Sequence, residues 1–328
     1  MRLKSSSLTV LSVGILCTSL LIQPSIQLWQ HTHSERHNQN HPEISRMLNQ
    51  ILEAPQDNST SNSTFYYTQR TADWPKQCIK GREQSPIHIP LASDVRRKYD
   101  YNGIKQSPNI LFSPSYTVIP KVQIKDLNHT IAAFGEFGNL TFTTPKNQKF
   151  NDLIATEVRV HAPSEHMLNE VHMDMEIQII HKDRKTGQVK AIVAVLLDQA
   201  QVHGGNVSHN SFLQHFVLNG TDSHIVKDFN LSELIKTHDS GNKHLFYYPG
   251  SLTTPPCTEG VSWLVFDKVQ PLSNQQLDYF YKRWPKNNTF AMMHQGNNRP
   301  VNPLGPRKIY QKFDKTNTIL DYFLDIFN

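Results

Sequence analysis

From Trp74 to about Tyr310 the chain is a succession of short β-prone runs separated by turn residues, and this texture limits the fold more than any other feature. Tyr116-Thr-Val-Ile, Asn139-Leu-Thr-Phe-Thr-Thr, Glu157-Val-Arg-Val-His, Met175-Glu-Ile-Gln-Ile-Ile, Ala191-Ile-Val-Ala-Val-Leu-Leu and Val261-Ser-Trp-Leu-Val-Phe are all rich in β-branched and aromatic residues. Helical signals are fewer: Asn210 to Val217, Asn230 to Ile235 and Ser273 to Arg283. The pattern predicts one strand-dominated domain with peripheral helices, a mainly β member of the α+β class. No internal repeat is present.

The ends of the chain have a different composition. Arg2 and Lys4 precede an apolar run from Leu8 to Ile22, followed by small and polar residues. This is the layout of a secretory signal peptide, read here as residues 1–27. The run is shorter than the ~20 apolar residues a bilayer span needs, so no membrane span is expected after cleavage. Residues 28–71 are rich in His, Asn, Ser, Gln and Thr and hold His31, His33, His37 and His41. With so few large apolar groups the segment cannot offset its ordering entropy, and it reads as a flexible polar tail with at most a short helix near Ile44 to Leu52. Loose metal binding by its histidines is the less favoured reading. Residues 311–328 place Ile319, Leu320, Phe323, Leu324 and Phe327 at helical spacing, an amphipathic tail suited to packing on the domain or on a partner.

Export changes how the remaining residues are read. Of three cysteines, Cys17 lies in the signal segment, which leaves Cys78 and Cys257 as an even pair and favours one disulfide. Such a bridge would contribute on the order of 4 to 5 kcal/mol by the chain-entropy estimate. Eight N-x-[ST] sequons begin at Asn58, Asn62, Asn128, Asn139, Asn206, Asn219, Asn230 and Asn287, enough to predict N-glycosylation in an exported chain. The formal net charge of +5 is spread among acidic residues with no basic block, so no nucleic-acid partner is expected.

Four ordered segments carry a more specific signal. They are WPKQCIKGREQSPIHI at Trp74 to Ile89, HAPSEH at His161 to His166, YYPGSLTTPPCTEGVSW at Tyr247 to Trp263, and NNRPVNPLGPR at Asn297 to Arg307. Together they resemble the alpha-class carbonic anhydrases over residues 72–310. The resemblance implies a large, twisted, mostly antiparallel central sheet with a zinc site in a conical cleft, and it implies that Cys78 pairs with Cys257.

It also implies a ligand set. In that family two zinc histidines lie at i and i+2 on one strand, and a third comes from the neighbouring strand. Alternation puts all three on one sheet face and leaves a fourth position open for hydroxide. Here those positions carry Arg159, His161 and Gln178. Only His161 can serve, because a guanidinium has no lone pair and an amide oxygen is a poor ligand for zinc. His181, three residues past Gln178, falls on the other face, and recruiting it or His172 would require a register slip. The resemblance further matches Thr253 to the residue that orients the hydroxide and Glu165 to the acid accepting its hydrogen bond. His129 matches the proton-shuttle region, Glu176 the acid behind the third ligand, and Leu252, Thr254, Ile192 and Trp263 the substrate pocket. Arg159 is expected to form an internal ion pair with Glu176 or another cleft acid, because an unpaired buried charge is costly.

The expected function is therefore that of a secreted carbonic anhydrase-related protein without hydratase activity, holding no cofactor and acting as a binding or structural glycoprotein. Its partner would be a protein, with a small anion in the cleft near Arg159. The alternative is a zinc-dependent carbonate dehydratase with an atypical or weak metal site.

Overall fold

The computed structural model describes Tyr67 and residues 74–90, 104–199, 209–235, 245–283 and 296–312. The signal segment, the polar tail apart from Tyr67, the amphipathic tail beyond Lys312, and the sequons at Asn58, Asn62, Asn206 and Asn287 lie outside the described residues.

Sixteen strands are described. They are β1 (His88–Ile89), β2 (Ile104–Ser107), β3 (Leu111–Tyr116), β4 (Ile119–Asp126), β5 (Ile131–Phe134), β6 (Gly138–Thr143), β7 (Lys149–His161), β8 (Met167–Leu168), β9 (Val171–His172), β10 (Met175–Lys182), β11 (Val189–Asp198), β12 (Ser223–Phe229), β13 (Leu245–Ser251), β14 (Glu259–Phe266), β15 (Gln270–Pro271) and β16 (Ile309–Lys312). One large sheet runs in the order β12-β4-β5-β7-β10-β11-β14-β13-β16-β2, with β3, β6 and β15 attached beside that path. Most neighbours are antiparallel; β11 with β14 and β16 with β2 are parallel joins. Helices are short and peripheral: Lys76–Lys80, Ser211–Gln214, Leu231–Ile235 and Asn274–Arg283. The second of these is capped by the Asn210 side chain, which accepts from Leu213 N–H. The predicted strand-dominated architecture is the one observed, and all three helical signals fall on helices.

Period-2 alternation sorts the strands' side chains into two layers. On β10, Met175, Ile177 and Ile179 enter the larger apolar cluster, joined by Val158 and Val160 of β7, Val193 and Val195 of β11, and Leu264 and Phe266 of β14. Ile180, Ile192, Leu196, Phe246, Tyr248, Val261 and Trp263 form a second cluster on the opposite face. That face also carries Glu157, Arg159 and His161 of β7, so polar groups and apolar groups share one surface of the sheet. A bulge sits at Thr156: Ile180 pairs with Glu157, but His181 pairs with Ala155. It lies beyond Gln178 and leaves the register at the site intact. His181 is buried and shares a 2.9 Å hydrogen bond with the Tyr116 hydroxyl, in keeping with a structural role.

The motif loops are fastened by two buried arginines. Arg299 donates to the carbonyls of Ser85 and Cys78 and to Gln84 Oε1, and its guanidinium lies over the Trp74 ring. Arg307 donates to the carbonyls of Gln84, Pro249, Pro303 and Leu304. Loop carbonyls have no ladder partner, and burying them requires donors of this kind. Gly250 is required by close approach, since a Cβ there would sit 2.2 Å from Ser85 Oγ. Cys78 and Cys257 form the expected disulfide, stacking the first and third motif segments on one another.

Candidate functional site

The site grows from β7 and β10. Gln178 lies directly opposite Arg159, and Glu176 opposite His161. Paired residues in an antiparallel ladder point to the same face, so all four side chains project from one face of the sheet. The imidazole, guanidinium and carboxamide expected at the three positions are thereby brought together.

His161 is fully buried. Its Nδ1 donates to the carbonyl of Asn297 at 2.7 Å, which fixes the tautomer and leaves the lone pair on Nε2. Nε2 is buried and has no hydrogen-bond partner. Asn297 completes the clamp by accepting from Ala162 N–H and donating to the carbonyls of Val160 and His129.

Arg159 is held from two sides. Its Nε and Nη2 donate to the two carboxylate oxygens of Glu157, at 2.5 and 3.2 Å, and Nη1 donates to Thr254 Oγ1 at 3.1 Å. Burial alone would push the guanidinium down, but the Glu157 carboxylate more than offsets that and leaves it above its ordinary range. The expected ion pair therefore exists, but with Glu157 rather than Glu176. The reason is geometric: Glu157 lies two residues before Arg159 on the same strand and face, whereas Glu176 is already saturated.

Glu176 accepts from the backbone N–H groups of Glu165 and His166, from His166 Nδ1 and from Gln178 Nε2. Burial would raise its pKa, yet the His166 ring and these donors outweigh burial and hold it at about 2. Gln178 Nε2 also donates to Glu165 Oε2 at 2.8 Å. Both amide hydrogens are thus directed at carboxylates, which only accept. Glu165 Oε1 takes the backbone N–H of Arg299 at 3.0 Å. Among the described residues no hydrogen bond joins Glu165 to Thr253, the partner the resemblance implies. Behind Glu176 the network continues through His166 to the Tyr248 hydroxyl at 2.6 Å and on to Ser85 Oγ at 3.0 Å.

The residues that the resemblance assigns to a pocket fall on the sheet face that carries Arg159. Trp263 and Ile192 are paired neighbours on β14 and β11, both buried, and Trp263 Nε1 donates to the Ser251 carbonyl. Thr253 and Thr254 are buried, and Leu252 packs against the second apolar cluster. His129 is half-buried in the loop between β4 and β5. Burial first, and then the charge of Arg159, lower its pKa to about 4. His172 faces away, its Nδ1 donating to the Ser164 carbonyl.

Several site residues escape sequence reasoning. Tyr67 is half-buried, packs edge-on against Trp74, and lies close enough to Glu165, Arg159 and Arg299 to feel their charges. Nothing local marks it, because it precedes the strand pattern. Asn297, Arg299 and Tyr248 lie within the four motifs, yet only their contacts reveal what they hold. Among the described residues, no group of three His, Cys, Asp or Glu side chains is arranged to hold a metal ion.

Comparisons with known proteins agree with this architecture. Residues 69–313 match the family model of eukaryotic-type carbonic anhydrase. A carbonic anhydrase of Klebsiella pneumoniae is 29% identical over 237 residues, covering 72% of this chain and 82% of that protein. A human carbonic anhydrase-related protein is 27% identical over 256 residues, covering 71% and 84%. Among solved structures, a carbonic anhydrase of Chlamydomonas reinhardtii in complex with acetazolamide superposes with a TM-score of 0.57 at 24% identity, over 78% of this chain and 100% of that one.

Proposed function

The chain belongs to the eukaryotic-type carbonic anhydrase family, and from that premise we propose that this member is an exported, glycosylated carbonic anhydrase-related protein that acts by binding and does not hydrate carbon dioxide effectively. The observation that carries this reading is Arg159, fixed between Glu157 and Thr254 on the face it shares with His161. Zinc, the metal of the family, does not fit this donor set. The guanidinium has no lone pair and keeps its positive charge where a dication would have to sit. Gln178 has turned its amide hydrogens to Glu165 and Glu176 and can offer only a neutral oxygen. One imidazole remains where catalytic zinc takes three protein ligands. His129 supports the same reading, since a base with a pKa of about 4 is a poor relay for protons at neutral pH.

Export is supported by the disulfide, which fits an oxidising compartment. No helix among the described residues is long and apolar enough to cross a membrane. Binding falls to three regions. The polar segment 28–71 and the amphipathic segment 311–328 offer contacts to a protein partner, and the cleft offers Arg159 to a small anion. Arg159→Ala should abolish saturable binding of bicarbonate or chloride, and unchanged binding would remove the anion from this reading.

A second reading, a carbonate dehydratase with a weak metal site, has one observation in its favour: the partnerless, buried Nε2 of His161. Elemental analysis of the purified mature protein, with carbon dioxide hydration assayed on the same sample, separates the two. Neither zinc nor turnover is expected. One zinc per chain with measurable turnover would put the enzyme first.

A further inference from the structure

Four sequons lie in described residues, and the structure treats their asparagines differently. Asn230 uses its side-chain oxygen to accept from Ser232 N–H at the start of a helix, and Asn139 accepts from Arg184. Asn219 and Asn128 are exposed, and neither side chain makes a hydrogen bond among the described residues. Asn128 stands at the tip of the β4–β5 turn. Its φ of 67° is left-handed, and its backbone N–H donates to Asp126 Oδ1 at 2.7 Å, which fixes the turn and throws the side chain outward.

What distinguishes Asn128 is its neighbour. The carbonyl of His129 accepts from Asn297 Nδ2, and the carbonyl of that same asparagine holds the His161 ring. An outward-facing acceptor amide is therefore the immediate chain neighbour of the carbonyl that Asn297 ties to His161. In the same hairpin, Lys125 pairs with Ala132 and Ala132 with Arg159, so an exposed lysine lies in one row with the cleft arginine.

We propose that Asn128 carries an N-linked glycan that stands at the rim of the cleft and restricts it to small molecules, so that a protein partner must dock elsewhere. The inference rests on the reading that the chain is exported. In the modification a bond forms between Asn128 Nδ2 and the anomeric carbon of a lipid-linked oligosaccharide diphosphate. The bond from that carbon to the phosphate oxygen breaks, and the lipid diphosphate leaves with the proton the amide loses. The structure also orders the events. The sequon hydroxyl of Thr130 is fully buried and donates to the Val160 carbonyl at 2.8 Å. The acceptor pattern requires that hydroxyl, so the sugar is added before β5 docks on β7.

The test uses the full chain expressed in glycosylating cells and recovered from the medium. Enzymatic removal of glycans in heavy-oxygen water, followed by peptide mass spectrometry, should convert both Asn128 and Asn219 to labelled aspartate. Lys125→Cys then reports on the rim and Lys146→Cys on a distant turn. A polymer-bearing maleimide should label the rim cysteine several-fold faster after native deglycosylation, or in an Asn128→Gln background. A small maleimide, and the distant cysteine, should show no change. A bare Asn128 beside an occupied Asn219 overturns the inference alone, as does an occupied Asn128 with no effect on the polymer reagent. A chain bare at both positions and missing from the medium overturns the export reading and this inference with it.

Discussion

Removing the Glu157 carboxylate tests the central claim about the cleft, that Arg159 is a charge the fold must neutralise internally. The pair is bidentate, with a closest approach of 2.5 Å and side-chain exposures of 23% for Arg159 and 9% for Glu157. Two unit charges about 4 Å apart attract by roughly 4 kcal/mol at an effective dielectric constant near 20. Breaking a buried pair costs about 3 to 5 kcal/mol, because the survivor is left uncompensated. The partial exposure of the guanidinium lets water replace part of what is lost, so Glu157→Ala should cost about 2 kcal/mol. In a domain of this size that corresponds to a fall in Tm of roughly 4 to 8 °C. Arg159→Leu in the same background removes the stranded charge and should recover most of the loss, giving a coupling energy of about 2 kcal/mol in a double-mutant cycle. Urea or thermal unfolding of the four proteins supplies the cycle. A Glu157→Ala protein as stable as the parent, or a cycle that closes with no coupling, would refute the reasoning.

Three other outcomes are expected. Glu176 is depressed from 4.5 to about 2, so its contribution is fully present above pH 4.5 and is lost as pH falls through about 2. It amounts to on the order of 3 kcal/mol by linkage; Glu176→Gln should flatten the acid limb of stability measured by urea midpoints, and an unchanged limb would count against the network. The His129 ring should show no protonation by NMR between pH 8 and 5, and Arg159→Ala should move its midpoint upward; a midpoint near 6.5 in the parent would contradict the burial described. Arg159→His combined with Gln178→His places three imidazoles on one sheet face, and the variant should take up one zinc per chain by elemental analysis and gain carbon dioxide hydration, whereas the single variants should not. Failure of the double variant to bind zinc would mean that β7 and β10 do not hold those side chains as described.

The strand pattern and the side-chain types at the three site positions were legible in the amino-acid sequence alone. Strand identity is local, because alternation of Val, Ile and aromatic residues with polar ones needs only neighbours a few residues away to be read. The same alternation placed Arg159 and His161 on one face, and the absence of a guanidinium lone pair is a property of the side chain alone. The disulfide was readable because Cys17 falls in the segment read as a signal peptide, which leaves Cys78 and Cys257 as a pair. The partners of those side chains came from packing. Glu157, rather than Glu176, neutralises Arg159, because Glu176 is filled by His166, Gln178 and two backbone N–H groups that arrive from the loop between β7 and β8. The turn of Gln178 toward two carboxylates, the single free nitrogen of His161, the arrival of Tyr67 beside the site and the fastening of the first motif loop by Arg299 all depend on residues brought together from distant parts of the chain. A periodic pattern sets which way a side chain points, and only the packing of other segments over that face sets what it meets.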